Sequence, residues 1–284
     1  MTLKQDLYTK TCMECSALLT RRYSTSFSLG ILMLGKDIRT HIYAIYGFVR
    51  LADEIVDTYQ DKEPAKELAM LKESTYRAIE AGISFNPVLQ AFQHTVNAYQ
   101  IPLEYIEAFL FSMELDLADQ KYDRSLYEKY IYGSAEVVGL MCLKVFCGQD
   151  QNLFESLIEP ARKLGSAFQK VNFLRDIRSD LEDRSRIYFP GLDISRFTVQ
   201  DKIGIEKEID EEFRLAQEGI NRLPLNCRKG VQLALNYYRG LLRRISKSQP
   251  EELFQKRIRV PNLVKLSLFI RNFLQPATYN YNHA

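Results

Sequence analysis

Tryptophan is absent from this chain, and glycine, proline and cysteine are sparse: 13, 9 and 5 in 284 residues. That scarcity leaves no flexible linker, low-complexity tract or short repeat, so residues 1–284 read as a single domain. Charge of one sign is lacking too. Against 38 basic residues stand 36 acidic ones, a net +2, which removes the bulk electrostatic case for nucleic acid. No apolar run approaches the ~18 residues of a membrane span, and the opening Met1-Thr2-Leu3-Lys4-Gln5-Asp6 is too polar for a secretory signal. An odd set of cysteines without such a signal favours a reducing compartment, so a cytoplasmic protein is expected. Cys12 and Cys15 form C-x-x-C, but no second pair follows at zinc spacing, and they read as core or surface thiols.

Strand-type alternation is missing as well; the apolar pattern is helical almost throughout, and an all-α fold is expected. Helices are expected over residues 4–20, from an N-cap at Asp37 to about Tyr59, over 63–80, and from Asn86-Pro87. Others follow over 103–119, 126–147, 160–182, 207–222, 228–246 and 261–274, with Tyr23–Phe27 a polar connection. The small residues Gly133-Ser134-Ala135 would let another backbone or an apolar ligand come close. His41 and His94 lack any partner pattern and are read as structural.

What is present is acid in repeated register. Asp53/Asp57 and Asp176/Asp180 are two i, i+4 pairs on helical segments, with Arg50 and Arg175 beside them. Such residues share one helix face, with Cβ atoms roughly 6 Å apart. Like charges that close repel, and the helix carrying the first pair is apolar on every side over Ile42–Val49, so the charge lies in or beside a core. Carboxylates are hard oxygen ligands suited to Mg²⁺ or Mn²⁺. Mg²⁺ bridges carboxylate to phosphate, so two facing pairs make a diphosphate clamp, to which the arginines add bidentate donors. Phe27, Tyr43, Tyr46, Phe48, Tyr132, Phe168, Phe173 and Tyr188 are candidates for an apolar pocket whose ring faces stabilise a carbocation. A single such acid pair is ordinarily a solvated surface feature, and aromatics at helical spacing are ordinarily core; it is the duplication that points to function. Glu54 and Asp183 are left as outer or exposed acids, and the C-terminal basic cluster that includes Arg243, Arg257 and Lys265 reads as a solvated face, with contact to anionic lipid or a second diphosphate as the alternative.

At these residues the chain resembles the squalene/phytoene synthase family of head-to-head prenyl synthases. The likeness runs from about Ser24 to Lys265. It is carried by Ser24-Thr25-Ser26-Phe27, Tyr43-Ala44-Ile45-Tyr46 leading through Arg50 to Asp53-Glu54-x-x-Asp57, and Tyr132-Gly133-Ser134-Ala135-x-Val137-x-Gly139. Its longest block is Gln169-x-x-Asn172-x-x-Arg175-Asp176-x-x-x-Asp180, followed by Arg186-x-Tyr188-x-Pro190. The resemblance implies an isoprenoid synthase fold around a central cavity, with Mg²⁺ (or Mn²⁺) held by Asp53, Asp57, Asp176 and Asp180, and Asn172 added to that set. It implies that Tyr46 and Tyr132 lie near the reacting carbons. It also implies that Ser26, Phe27, Arg50, Gln169, Asn172, Arg175, Arg186, Tyr188 and Tyr238 meet the substrates. Departures are Glu54 in place of a second Asp, Ser179 where an acid is common, and Tyr23 and Thr25 where some members are basic. The reaction implied is condensation of two geranylgeranyl diphosphates to phytoene through a cyclopropylcarbinyl diphosphate, without NADPH. The absence of a C-terminal membrane anchor leans toward that C20 reaction. The alternatives are a C15 enzyme making dehydrosqualene, presqualene diphosphate or squalene, and a non-catalytic helical binding or assembly protein on the same scaffold. The expected partners are prenyl diphosphates, and an oily product is compatible with peripheral membrane contact.

Overall fold

A computed structural model describes residues 3–58, 61–118, 122–182, 188–191, 197–255 and 257–274. Among them there is no strand. The elements are α1 (Leu3–Tyr23), α2 (Thr25–Leu32), α3 (Lys36–Asp57), α4 (Pro64–Ala81), α5 (Pro87–Tyr99), α6 (Leu103–Leu115) and α7 (Arg124–Ile131). A π-helical turn (Tyr132–Glu136) leads into α8 (Val137–Cys147). Then come α9 (Gln151–Glu182), α10 (Val199–Arg222), α11 (Leu225–Ser246), α12 (Pro250–Leu253) and α13 (Asn262–Leu274). Helices α2, α3, α8, α9, α10 and α11 wall a central cavity. Behind α3, helices α1 and α5 pack as an outer layer, and α13 packs on α11.

Most expected helices form, with informative differences. The polar connection at 23–27 is the start of α2: Ser24 is its N-cap and its hydroxyl accepts from the Phe27 amide at 3.2 Å. Asp37 does not cap α3; Gly35 does, and Asp37 lies in the first turn, where a carboxylate suits the positive helix end. The pattern starting at residue 160 is the later part of α9, which begins at Gln151 and runs through Pro160. A mid-helix proline deprives the carbonyl four residues earlier of its donor. Here Arg222 supplies the replacement, donating to Ser156 O at 3.3 Å and Ser156 Oγ at 2.6 Å.

The small-residue patch serves backbone approach. A Cβ on Gly133 would sit 2.3 Å from the Ala108 carbonyl, and one on Gly165 would sit 2.7 Å from the Ala135 carbonyl. The π-helical turn is thus clasped between α6 and α9. The stretch Arg124–Cys147, spanning α7, the π-helical turn and α8, is long and apolar enough to cross a membrane by composition alone, but in this fold it packs against α6 and α9. The far face of α9 is held by an ion cluster around buried Lys170: its Nζ lies 2.6 Å from the exposed Glu208 and 2.8 Å from buried Glu212, whose oxygens also accept from Ser166 at 3.0 Å. Cys12 is buried and Cys15 exposed, and all five cysteines are free thiols.

His41 is structural, as expected. Thr95 Oγ1 donates to Ala91 O, so its oxygen accepts from His41 Nδ1 at 3.0 Å. Burial, then the neighbouring His94, lowers the His41 pKa from 6.5 to about 4, with Asp37 opposing. The folded state therefore refuses a proton that the unfolded chain accepts, and His41 withdraws stability as pH falls from 6.5 toward 4. An NMR titration should place its midpoint near 4; a midpoint near 6.5 would contradict the packing. Gly133→Ala should cost about 2 kcal/mol through overpacking. Chemical denaturation reads this directly, and a wild-type midpoint would show that α6 yields without penalty.

Candidate active site

The cavity encloses about 480 Å³ and is walled along one face of α9 from Leu157 to Asp180. At about 1.5 Å per residue that face extends for roughly 34 Å. Its lower part is apolar or small: Leu157, Pro160, Ala161, Leu164, Gly165 and Phe168. Its upper part is mostly polar, with Gln169, Asn172, Arg175, Asp176 and Asp180 around the single ring of Phe173. The switch falls within one turn. On α3 the lining residues are Ile42, Ile45, Tyr46, Val49, Asp53 and Asp57, again apolar below and acidic above. The aspartate pairs therefore share one end of the cavity, on two helices without extensive contact between them.

Each pair is attended by arginine. The Asp176 carboxylate accepts from Arg175 Nε at 3.0 Å and from Arg257 Nε at 2.7 Å, with Arg257 Nη2 at 3.2 Å. Burial alone would lower the Arg175 guanidinium, but the hydrogen bond and charge of Asp176 outweigh that and raise it. On α3, Arg50 pairs closely with Glu54 and lies 3.8 Å from Asp53, its guanidinium 4.3 Å over the Tyr23 ring. Burial would raise the Glu54 carboxyl, but hydrogen bonds from Arg50 and Thr58 bring it below its usual value. Glu54 is thus the counter-ion of Arg50. Ser179, where an acid was a reference point, donates to the Asp176 backbone carbonyl at 3.0 Å.

Below the acids lies an aromatic wall. Phe168 stacks on Tyr238 with centroids 3.9 Å apart, and Phe27 lies 5.6 Å from Tyr46 and 6.3 Å from Tyr238. Tyr238 donates to Asn172 Oδ1 at 3.2 Å, and Asn172 Nδ2 reaches Gln169 Oε1 at 3.5 Å. Burial pushes the Tyr46 hydroxyl up to about 12, although Ser24 and Arg50 pull the other way, so it stays a neutral phenol at physiological pH.

The structure brings together in one cavity Phe27, Tyr46, Asp53, Asp57, Gln169, Asn172, Arg175, Asp176, Asp180, Tyr188 and Tyr238. Arg50 stands behind its rim. Four of the expected residues lie off the cavity wall. Ser26, Tyr43 and Phe48 do not line the cavity. Tyr43 and Phe48 fall on the rear of α3, where Phe48 stacks on Phe92 at 3.9 Å. Tyr132 is also off the wall; it faces Arg162, 5.4 Å away, while Tyr130 and Ser134, four residues apart on one face, line the cavity instead. Arg186 and Asp183 lie outside the described residues.

Three residues were not foreseen. Arg257, assigned to a solvated basic face, reaches Asp176 because Arg178 Nη1 donates to Gln255 O at 2.6 Å and holds the segment after α12 against α9. Tyr130 and Asp116 also line the cavity, and Tyr130 donates to Asp116 at 2.9 Å. Nothing in the spacing of a lone aspartate at the end of α6 marks it out. Among the described residues no three acidic, histidine or cysteine side chains form a ready-made cation cage. Mg²⁺ keeps several waters and binds through one or two carboxylates plus substrate phosphates, so it does not require such a cage. The all-oxygen donor set of Asp53, Asp57, Asp176, Asp180 and Asn172 suits that ion.

Comparison with known proteins agrees with this geometry. The chain is 28% identical over 274 residues to a phytoene synthase of Arthrospira platensis, covering 87% of this chain and 88% of that one. It is 30% identical over 272 residues to the 15-cis-phytoene synthase of Synechocystis sp., covering 87% and 80%. A 4,4'-diapophytoene synthase of Staphylococcus haemolyticus matches at 25% over 248 residues, covering 80% and 84%. Among solved structures, a dehydrosqualene synthase in complex with ligand superposes with a TM-score of 0.80 at 22% identity, over 95% of this chain and 98% of that one. The match to the squalene/phytoene synthase family spans residues 20–264, and this chain belongs to that family.

Proposed function

We propose that this enzyme condenses two geranylgeranyl diphosphates head to head into phytoene, releasing diphosphate at each of two ionisations. One observation carries the reading: a single face of α9 changes from apolar at Phe168 to polar at Gln169 and acidic at Asp176, so one cavity holds a charged headgroup and a long hydrocarbon together. Asp53 and Asp57 on one wall and Asp176, Asp180 and Asn172 on the other would hold Mg²⁺ or Mn²⁺. That ion, when bound, supplies the positive charge that a departing diphosphate requires.

The chain's own groups do the rest. Arg175 and Arg257 bring guanidinium donors to the same end, where they meet phosphate oxygens in bidentate geometry. Phe27, Tyr46, Phe168 and Tyr238 present ring faces to the allylic cation left behind. The apolar floor around Leu157 and Leu164 excludes water that would capture that cation. Loss of a proton completes the hydrocarbon, so no step draws on NADPH.

The C20 choice is supported by the phytoene synthases among the relatives and by the depth of the apolar face below Phe168. A C15 substrate is the second reading, favoured by the likeness to a 4,4'-diapophytoene synthase and to the fold of a dehydrosqualene synthase. Purified protein offered C20 and C15 diphosphates separately, with Mg²⁺ present or chelated, distinguishes the two. A Mg²⁺-dependent C40 triene indifferent to NADPH is expected; a C30 product moves the substrate, and no product favours a non-catalytic scaffold. Asp176→Ala should lower turnover by about 10³-fold, the scale of losing one group that stabilises transition-state charge. Near-wild-type turnover would remove Asp176 from the clamp.

Cytoplasmic placement with peripheral membrane contact completes the proposal. Leu263, Leu266, Ile270 and Phe273 form an exposed apolar stripe on α13 at helical spacing, and Lys265 and Arg271 lie on the same helix. Such a face suits an anionic bilayer, which would also take up the product. The chain should co-float with anionic liposomes, and Phe273→Glu should abolish this; flotation unchanged by the substitution would contradict the assignment.

A further inference from the structure

Helices α10 and α11 each turn one face to the cavity, through Ala216, Ile220, Ala234 and Tyr238. Their other faces border a separate groove of about 780 Å³, to which α13 adds Leu268 and Arg271. Arg239 lies half-buried in that groove, next in sequence to Tyr238. Its Nη1 donates to Gln217 Oε1 at 3.2 Å and its Nη2 to the Phe213 carbonyl at 3.2 Å. Gln217 is buried and is itself fixed by Gln232, with which it exchanges hydrogen bonds of 2.7 and 3.1 Å. Neutral acceptors thus set the direction of the guanidinium without neutralising its charge. Burial lowers its pKa, with Arg243 adding to the effect and Asp210 opposing it.

Arg243 lies one turn further along the same face of α11, and Arg271 borders the groove from α13. Among the described residues, none of these three arginines forms an ion pair, whereas the acids of the α10 wall are largely taken. Glu206 is paired with Lys202 at 2.6 Å and Glu211 with Arg214 at 2.8 Å. Among the lining side chains that leaves Asp210 facing Lys207 and the three arginines. A half-buried charge without a counter-ion favours an anionic ligand. Guanidinium forks match phosphate oxygens in bidentate pairs, and a doubly charged phosphate monoester suits this excess of cations better than a carboxylate does. Ile203, Leu242 and Leu268 line the same groove and offer apolar surface to an organic group. We propose that the groove binds a phosphate monoester, whose oxygens meet Arg239 and Arg243 on α11 and Arg271 on α13 and whose organic part covers those apolar side chains. A bound ester joins α13 to α11 behind the cavity wall, away from the aspartates. Two sources share this chemistry: a soluble phosphate ester, and a lipid whose headgroup is a phosphate monoester. The inference does not rest on the head-to-head reaction.

The test titrates wild type, Arg239→Gln, Arg243→Gln and Arg271→Gln with glycerol 3-phosphate by calorimetry, with divalent cations chelated and ionic strength held with chloride. Wild type should bind, and each variant should bind about tenfold more weakly, the scale of losing one charge-assisted hydrogen bond. Arg243 and Arg271 are exposed and lie outside the catalytic cavity, so their variants should fold and keep wild-type turnover. Those two decide the matter if Arg239→Gln does not fold. Flotation with phosphatidic acid vesicles, compared with phosphatidylglycerol vesicles of equal surface charge, separates the sources. A preference for phosphatidic acid that Arg243→Gln removes assigns the lipid headgroup; binding of glycerol 3-phosphate without that preference assigns a soluble ester. Absence of both in wild type overturns the inference, as does binding or preference that Arg243→Gln and Arg271→Gln leave unchanged. Failure to make hydrocarbon from prenyl diphosphates would strike at the proposed reaction and leave this site standing.

Discussion

Mutual repulsion among carboxylates that face one largely apolar cavity is the constraint on which the site depends. Asp53, Asp57, Asp116, Asp176 and Asp180 all border that space. Arginine relieves part of the repulsion: Arg50 among the α3 acids, and Arg175 with Arg257 around Asp176. Two tyrosine hydroxyls satisfy Asp116. A charged group beside a core is tolerated only when paired or hydrogen-bonded, and the proposed reaction would use these same groups to handle a diphosphate or a cation. Stability and chemistry are served by the same contacts here.

Continuous helices give that arrangement its dimensions. Because α9 runs without a break from Gln151 to Glu182, the distance from the acids to the cavity floor is set by helical rise alone. The proline within it would weaken such a rod, and Arg222 removes the difficulty by taking the orphaned Ser156 carbonyl. Buried Lys170, paired with Glu212 and the exposed Glu208, anchors the rear face, so the front face is free to serve as wall. Close backbone approach at Gly133 and Gly165 sets the π-helical turn against both α6 and α9.

Much of this was legible in the sequence wherever local periodicity carried the signal. The helical class, most helix positions and the i, i+4 aspartates follow from residues a turn or two apart, whereas Gln169 and Asn172 were marked only by the family resemblance. The start of α2 was missed because Ser24-Thr25-Ser26 reads as polar connection until Ser24 is seen to cap a helix. Tyr132 was placed by the family resemblance; on the helix it lies two residues from Tyr130 and so points away from the face that Tyr130 and Ser134 present to the cavity. Arg257 and Asp116 were invisible for a different reason: each acts across the fold, 81 and 72 residues from Asp176 and Tyr188 respectively, and no pattern along the chain encodes that meeting.

The central claim is that both aspartate walls serve one diphosphate. Diffraction from crystals grown with Mn²⁺ and an unreactive prenyl thiodiphosphate, using the manganese anomalous signal, tests it most directly. The account predicts cations at both Asp53/Asp57 and Asp176/Asp180, bridged by diphosphate oxygens, with the prenyl chain lying along α9 toward Leu157. Cations at one pair alone, or a diphosphate bound outside the cavity, would contradict it.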